Sequence, residues 1–158
     1  MDGKHVEEYP EWVPNCKKAF IIEQIDTYNV YYYAASTFPW PLQNRDLVAH
    51  SVFDQDPITK EITILTEAVE GHHPAQKGLI RIEVLQAIWI LTPKPDGVVT
   101  ITYFLKTDPA GNIPAWMTNK FMDRGPIQTM EKLRDMAKLE KYKNVKMSII
   151  EEAESPSR

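Results

Sequence analysis

Six segments rich in β-branched and aromatic residues follow one another between residues 18 and 108, with no helical segment between them. Short turn sequences separate them, most clearly Pro95-Asp96-Gly97. Parallel neighbours need crossovers of about a dozen or more residues, whereas antiparallel neighbours need only a short turn. The chain is therefore predicted to form an antiparallel sheet. The segments are KAFIIEQI, NVYYYAAST, NRDLVAHSVFDQD, EITILTEAVE, GLIRIEVLQAIWIL and GVVTITYFLKTD.

The period of the apolar residues changes after Asn112, where spacings of three and four indicate an amphipathic helix. The apolar positions are Ile127, Met130, Leu133 and Ala137. Gly125-Pro126 is a point where this helix is expected to kink or restart. A short helix ending near Pro14 is expected before the first strand. The predicted fold class is α+β, a curved antiparallel β-sheet wrapped around a long C-terminal α-helix, with a hollow where their side chains do not meet.

Length and charge limit the classes of function. A chain of 158 residues with 43% hydrophobic content suits one domain, predicted over residues 1–146, followed by a polar, fraying tail over residues 147–158. A net charge of −4 gives no overall attraction to nucleic acid, so no nucleic-acid partner is expected. The single cysteine, Cys16, excludes an internal disulfide framework. The polar N-terminus resembles no signal peptide, and we expect a cytoplasmic protein.

No metal or cofactor is expected. His72-His73 lies in the loop GHHPAQKG, but the sequence places no third ligand at metal-binding spacing, so a solvated loop is predicted. His50, within a strand, is expected to be a satisfied structural histidine.

Several segments together resemble the START domain, the lipid-transfer module related to the steroidogenic acute regulatory protein. They are FPWPLQNRDLV, GLIRIE, ILTP, TYFLKTDPAGNIPAWMTN and GPIQTMEKLR, and the resemblance spans residues 6–139. It implies a helix-grip fold, in which the sheet wraps the C-terminal helix around a tunnel for one lipid or sterol. It also implies that the loop holding Trp40 and the helix beginning near Ile113 form the mouth of that tunnel.

The sequence departs from this family in two respects. The family places a helix, three strands and a further helix before the part matched here, so the last strand lacks its usual neighbour. We expect upstream sequence, a shallower cavity or a homodimer that covers this edge. The alternative to a homodimer is a monomer with a smaller cavity, in which the N-terminal segment MDGKHVEEYPEW folds back over the opening. Some family members carry a basic residue six positions after the match to Arg45, where this chain has Ser51.

Twelve residues are predicted to contact the lipid. They are Trp40, Tyr31, Tyr33, Arg45, Arg81, Glu83, Tyr103, Ile113, Trp116, Met117, Phe121 and Met130. Methionine and aromatic side chains give the helix a soft apolar surface, although such a stripe is also typical of an ordinary core.

The charged candidates have structural alternatives. Arg45 and Asp46 are expected to pair and fix a loop, or else to bind a lipid head group. Arg81 and Glu83 alternate onto one face of a strand with Leu85 and Trp89. The two charged residues are expected to pair if that face is buried, and the alternative is a solvated cross-strand pair.

The predicted function is noncatalytic binding, and by extension intracellular transfer, of a lipid or sterol. One alternative is a polyketide cyclase or aromatase, whose architecture is similar and which would need an acid or base among Tyr31, Tyr33, Tyr103, His50 and Glu83. Another is an oligomerising domain without a ligand. Residues 112–146 carry eight Lys or Arg against four Asp or Glu, so transient contact with membrane surfaces is also predicted, with a solvated helix face as its alternative.

Overall fold

The computed structural model describes residues 3–143 and 145–152, and their side chains except at positions 3, 4, 116 and 118–123. After a 3₁₀ turn at Gly3–Glu8, the helices are α1 (Tyr9–Trp12), α2 (Ala115–Met136) and α3 (Glu140–Lys143). The strands are β1 (Cys16–Gln24), β2 (Asn29–Ser36), β3 (Asn44–Gln55), β4 (Ile62–Ala68), β5 (Leu79–Arg81), β6 (Val84–Pro93) and β7 (Val99–Asp108).

The strands form one sheet in the order β1-β2-β3-β4-β6-β7, and every pair along this path is antiparallel. The predicted curved antiparallel sheet with a C-terminal helix is confirmed. One detail was wrong: GLIRIEVLQAIWIL is not a single strand. It breaks at Ile82 and Glu83, and the short β5 before the break pairs parallel with the beginning of β3. The Ile82 amide donates to the Asp46 carbonyl at 2.8 Å, which holds the break in place.

Strand alternation divides the sheet into two faces. The inner face carries Ala19, Tyr32, Leu47 and Ala49, which form a buried cluster with Val6 from the N-terminal turn. Residues one position away in the sequence lie on the outer face. The core therefore sits between the sheet and the helical segments that cross its inner face.

Helix α2 runs without interruption through Gly125 and Pro126. Its predicted apolar stripe was wrong in orientation, because Ile127 is 60% exposed while Met117 and Thr129 are buried. The Thr129 hydroxyl donates to the Gly125 carbonyl at 2.8 Å, so its polar group is satisfied within the helix. Small residues that line a cavity do not contribute to a pattern of apolar residues. The pattern therefore did not predict that this side of the helix faces the sheet.

Polar contacts join the two ends of the chain. Lys141 of α3 lies 3.2 Å from a carboxylate oxygen of both Glu8 and Glu11, and the Tyr142 hydroxyl donates to Glu8. The His5 imidazole also lies 3.2 Å from Glu8. The bond from Tyr142, followed by those from His5 and Lys141, lowers the pKa of Glu8 to about 2. These contacts hold the end of the C-terminal helical region against the N-terminal turn.

The C-terminal segment also contacts the sheet. The Gln55 side-chain amide donates to the Glu151 carbonyl at 2.9 Å and accepts from its amide at 2.9 Å. Lys60 forms an ion pair with the Glu151 carboxylate. The domain boundary at residue 146 stays a prediction.

β7 lies at one edge of the sheet, and within the described part of the chain its strand partner is β6. Phe104 and Val99 are both at least half exposed along this strand. Homodimerisation through this edge stays a prediction. None of the described helices combines the length and apolarity needed to cross a bilayer.

Glu8→Gln should make the free energy of unfolding less dependent on pH between pH 4.5 and about pH 2. The Glu8 pKa falls from its ordinary value near 4.5 to about 2 in the folded chain. Its contribution to stability is therefore present above pH 4.5 and is lost as the pH falls through about 2. Urea unfolding of the wild type and Glu8→Gln at several pH values tests this. An equally steep fall of the free energy of unfolding in both proteins between about pH 5 and pH 2 would contradict this prediction.

Candidate ligand-binding cavity

A cavity of about 290 Å³ lies between the inner face and α2. The sheet contributes the largest share of its wall, while α1 and the segment after it contribute one side. The helix contributes Gly125, Pro126 and Thr129, which have small or compact side chains. The sheet residues in the wall include Tyr32, Ala34, Leu47, Ile64, Leu85, Ala87, Trp89, Tyr103 and Leu105. The hollow predicted between sheet and helix is therefore present.

Aromatic rings form a continuous side of the cavity. Trp89 stacks on Tyr103 with ring centroids 4.0 Å apart, and Trp12 meets Trp89 edge-on at 6.2 Å. Tyr9 lies edge-on to both Trp12 and Tyr32, at 5.3 and 5.4 Å. Stacked and edge-on rings support one another's positions. The wall that they form is rigid and largely apolar.

The polar groups in the middle of the cavity are bonded to each other. Ser51 and Thr66 are both buried, and their hydroxyl oxygens lie 3.0 Å apart. Tyr9 and Tyr32 share a hydrogen bond, and burial raises the pKa of Tyr9 to about 12. Because these groups satisfy one another, they demand no polar partner from a ligand.

Arg45 stands at one end of the cavity and is only 1% exposed. Its guanidinium donates to the carbonyls of Pro109 (3.1 Å), Ala110 (2.9 Å) and Gln43, and lies 4.3 Å from the centre of the Phe38 ring. Burial lowers its pKa. Arg45 fixes the loop before β3 through the Gln43 carbonyl, as its predicted structural role requires. The predicted pairing with Asp46 was wrong, because neighbouring residues of a strand project to opposite sides.

Gly111 lets the loop between β7 and α2 approach this guanidinium. Its φ is +72°, and a Cβ added there would lie 3.0 Å from the Ile80 Cδ1 atom and 3.3 Å from the Arg45 Nη2 atom. A larger residue would therefore meet both backbone strain and crowding.

Asp46 is held instead by Arg81. Two hydrogen bonds, of 2.8 and 2.9 Å, join the guanidinium to the carboxylate, and Asp46 is 1% exposed. The bond to Asp46 raises the pKa of Arg81. The predicted pairing of Arg81 with Glu83 was also wrong, because Glu83 is exposed in the break between β5 and β6.

Tyr31 and Tyr33 lie on the outer face, away from the cavity. Tyr31 stacks between His50 and His72, with centroids 4.4 and 3.9 Å away. Tyr33 stacks on Phe20 at 5.0 Å.

The outer-face histidines are packed rather than freely solvated. His73 contacts both Phe20 and Tyr33, at 5.5 and 4.7 Å. The loop GHHPAQKG is nonetheless mostly exposed, as predicted, and His73 is half-buried where it packs on the sheet. Among the described residues, none provides a hydrogen-bond partner for the buried His50 Nε2 atom, so the expectation of a satisfied histidine was wrong. The described residues contain no cluster of three or more potential metal ligands.

The predicted contact residues are thus only partly brought together. Arg45, Tyr103 and Ile113 belong to the cavity wall. Trp40 is 92% exposed on its loop, and Met117 is buried but stands outside the wall. Met130 is half-buried and also outside it. The side chains of Trp116 and Phe121 lie outside the described residues.

The N-terminal segment was expected at the cavity only as an alternative to the homodimer, and none of its residues was among the predicted contact residues. Tyr9, Trp12 and Val13 line the cavity, as does Trp89. A usable signal was present, since two large aromatic residues within a short helix gain stability mainly by burial against another element. Trp89 was correctly placed on one face with Leu85, and both line the cavity.

Comparisons of the sequence with a family profile and with known proteins agree on one family. The START domain profile matches residues 4–143. An uncharacterized protein of Pseudomonas aeruginosa is 32% identical over 129 residues, which cover 80% of this chain and 62% of that protein. Human START domain-containing protein 10 is 27% identical over 121 residues, covering 75% of this chain and 41% of that protein. The chain therefore spans less than two thirds of either relative.

A solved structure shows the same architecture. The crystal structure of a STAR-related lipid transfer protein fragment from Xanthomonas axonopodis superimposes with a TM-score of 0.74 and 28% sequence identity. The match covers 85% of this chain and 74% of that chain.

Arg81→Met should lower the free energy of unfolding by about 3 kcal/mol, because it leaves the Asp46 carboxylate buried without its partner. The matched control is Lys138→Met, which removes an exposed pair with Asp135 at 3.0 Å. That variant should cost less than about 0.5 kcal/mol. Urea unfolding near pH 7 compares them, and similar small losses in both would show that Asp46 does not depend on Arg81.

Proposed function

Because the chain belongs to the START domain family, we propose that it binds one lipid noncovalently in the cavity and carries it unchanged between membranes. The observation that supports this most directly is the cavity itself, with an aromatic wall and polar groups that are mostly satisfied by one another. Such a site gains affinity from burial of apolar surface, at about 25 cal/mol per Å². Ligand shape, rather than a dense set of hydrogen bonds, then determines what binds.

The titratable side chains around the cavity favour lipid binding and transfer over catalysis. Burial raises the pKa of Tyr103 to about 12 and also raises that of the Cys16 thiol, so both keep their protons at neutral pH. The Asp46 carboxylate is engaged by Arg81. His50 and Tyr31, considered as acid or base candidates for a cyclase, stack with each other on the outer face. A general acid or base must reach the ligand, and these two do not.

We propose that the ligand enters past the Trp40 loop. Pro39 and Pro41 stiffen this loop, and the Leu42 amide donates to the Pro39 carbonyl at 3.0 Å. At its base, Phe38 lines the cavity and covers the Arg45 guanidinium. Arg45 in turn binds the loop that precedes α2. Separation of these two loops would open the cavity without unfolding the sheet.

Filling the cavity should abolish lipid binding without unfolding the protein. Thr107 lines the cavity, whereas Thr102 is exposed on the opposite face of the same strand. Thr107→Trp places a large ring in the space of the ligand, and Thr102→Trp places the same ring in solvent. Organic extraction of each purified protein, followed by mass spectrometry, measures the bound lipid.

The wild type and Thr102→Trp should yield lipid at up to one molecule per chain, and Thr107→Trp should yield much less. Circular dichroism should show all three folded. If the wild type yields no lipid, and takes none up from vesicles, the carrier proposal fails. If Thr107→Trp keeps the full amount, the ligand lies elsewhere.

Trp40→Ala should slow uptake of a fluorescent fatty acid from anionic vesicles while changing the free energy of unfolding by less than about 0.5 kcal/mol, since the ring is largely exposed. Ile58→Ala is the control, because Ile58 is 88% exposed on a different turn. Uptake should also fall with added salt if the basic residues of segment 112–146 contact the membrane. Unchanged uptake in Trp40→Ala would contradict the gate, and a loss of several kcal/mol would place Trp40 in the core.

A further inference from the structure

Arg45 is a buried cation whose charge is not matched by an anion within the described part of the chain. Its described acceptors are three neutral carbonyls, those of Gln43, Pro109 and Ala110. The nearest carboxylate in sequence, Asp46, makes a two-bond pair with Arg81. A buried charge normally has a partner of opposite sign, because removing it from water is costly.

The guanidinium also has donors to spare. Arginine carries five N–H groups, and the three carbonyls described above leave two of them for another acceptor. The side chain is 1% exposed and forms part of the cavity wall. Water therefore has little access to it, and the Phe38 ring and the loop before α2 must move apart for a ligand head group to reach the remaining N–H groups. Phe38 covers one face of the group, which restricts approach to the edge where N–H groups point.

The rest of the cavity has the opposite character. Ser51 and Thr66 satisfy each other, and Trp89, Tyr103 and Leu105 are largely apolar. Along β6, Leu85 stands opposite Thr107 near the Arg45 end, and Trp89 lies four residues further along the strand. The site thus has a positive end and a long apolar body, which is the pattern of an amphiphile with its head at Arg45.

We propose that the cavity binds a single-chain amphiphile with an anionic head group, either a carboxylate or a phosphate monoester, and that Arg45 binds this head. The inference rests on the proposed lipid-carrier function and narrows its ligand. Charge-assisted hydrogen bonds from arginine to carboxylate or phosphate are about twice as strong as neutral ones. The volume of about 290 Å³ lies just below the usual range of small-ligand sites, roughly 300–1,000 Å³, which suits one chain rather than two.

Binding of three ligands that share one chain tests the head group. Delipidated protein is titrated by calorimetry with dodecanoate, dodecyl phosphate and dodecan-1-ol, all below their aggregation limits. The two anions should bind about tenfold or more tightly than the alcohol, as expected for an added charge-assisted contact. Inorganic phosphate alone should bind far more weakly than dodecyl phosphate, because it lacks the chain.

Arg45→Gln should remove the preference for the two anions over dodecan-1-ol. Because Arg45 also holds the Pro109 and Ala110 carbonyls, the readout is the ratio of anion affinity to alcohol affinity, and not the affinity for dodecan-1-ol alone. Arg134→Gln is the control, since Arg134 is exposed on α2 and its loss changes the net charge equally. If Arg45→Gln does not fold, the comparison of the three ligands on the wild type still decides the head-group preference.

The outcomes separate the two proposals. Equal binding of all three ligands to the wild type would overturn the anionic head group and leave the lipid carrier standing. An anion preference that persists in folded Arg45→Gln would overturn the assignment to Arg45. Failure of all three ligands to bind would overturn this inference, and absence of any extractable lipid as well would overturn the carrier function.

Discussion

The attachment of α2 at its two ends is the constraint on which the cavity depends. At the start of the helix, Arg45 holds the carbonyls of Pro109 and Ala110 and so fixes where the chain leaves β7. Beyond its end, Lys141 and Tyr142 hold the N-terminal turn through Glu8. Between these attachments the helix presents Gly125, Pro126 and Thr129 to the sheet. These side chains are too small to reach the opposite wall, so the middle of the interface stays hollow.

The chemistry of the hollow follows from how polar groups are paired around it. Ser51 and Thr66 bond to each other, and Asp46 is neutralised by Arg81. Because these groups are bonded to one another, they need no hydrogen bond from a ligand. The aromatic wall therefore determines the shape of the site. Arg45 is the exception, because its acceptors are neutral. In the proposed function, the apolar chain of the ligand lies along most of this cavity and its anionic head group lies at the Arg45 end.

The sequence was sufficient to predict the sheet, the short N-terminal helix and the long C-terminal helix. Turn residues and period-two patterns are local, so they can be read without knowing the rest of the fold. The break at Ile82 and Glu83 could not be read in this way, because β5 pairs with the distant start of β3. The apolar pattern also placed Ile127 in the core, whereas the cavity side of α2 consists of small residues.

The ion-pair and packing partners of individual side chains were harder to predict than the helices and strands. Arg45 and Asp46 are adjacent in the sequence, and Arg81 and Glu83 lie two apart, which suggested local pairs. The fold instead joins Arg81 to Asp46 across 35 positions of the chain. It also brings Tyr9 and Trp12 of α1 to the same cavity as Trp89. Such contacts depend on the order of strands in the sheet and on how the helical segments cross it, neither of which is encoded by local spacing.

In the proposed complex, the ligand chain lies against the aromatic wall between the sheet and α2. Fluorescence quenching by a brominated chain tests it directly, because bromine quenches tryptophan only at close contact. The protein has four tryptophans, so a variant with phenylalanine at positions 12, 40 and 116 leaves Trp89 as the sole reporter. Saturable quenching of Trp89 by 12-bromododecanoate, reversed by unlabelled dodecanoate, is the predicted result. Binding of the brominated chain without quenching of Trp89 would show that the ligand chain does not lie against the aromatic wall.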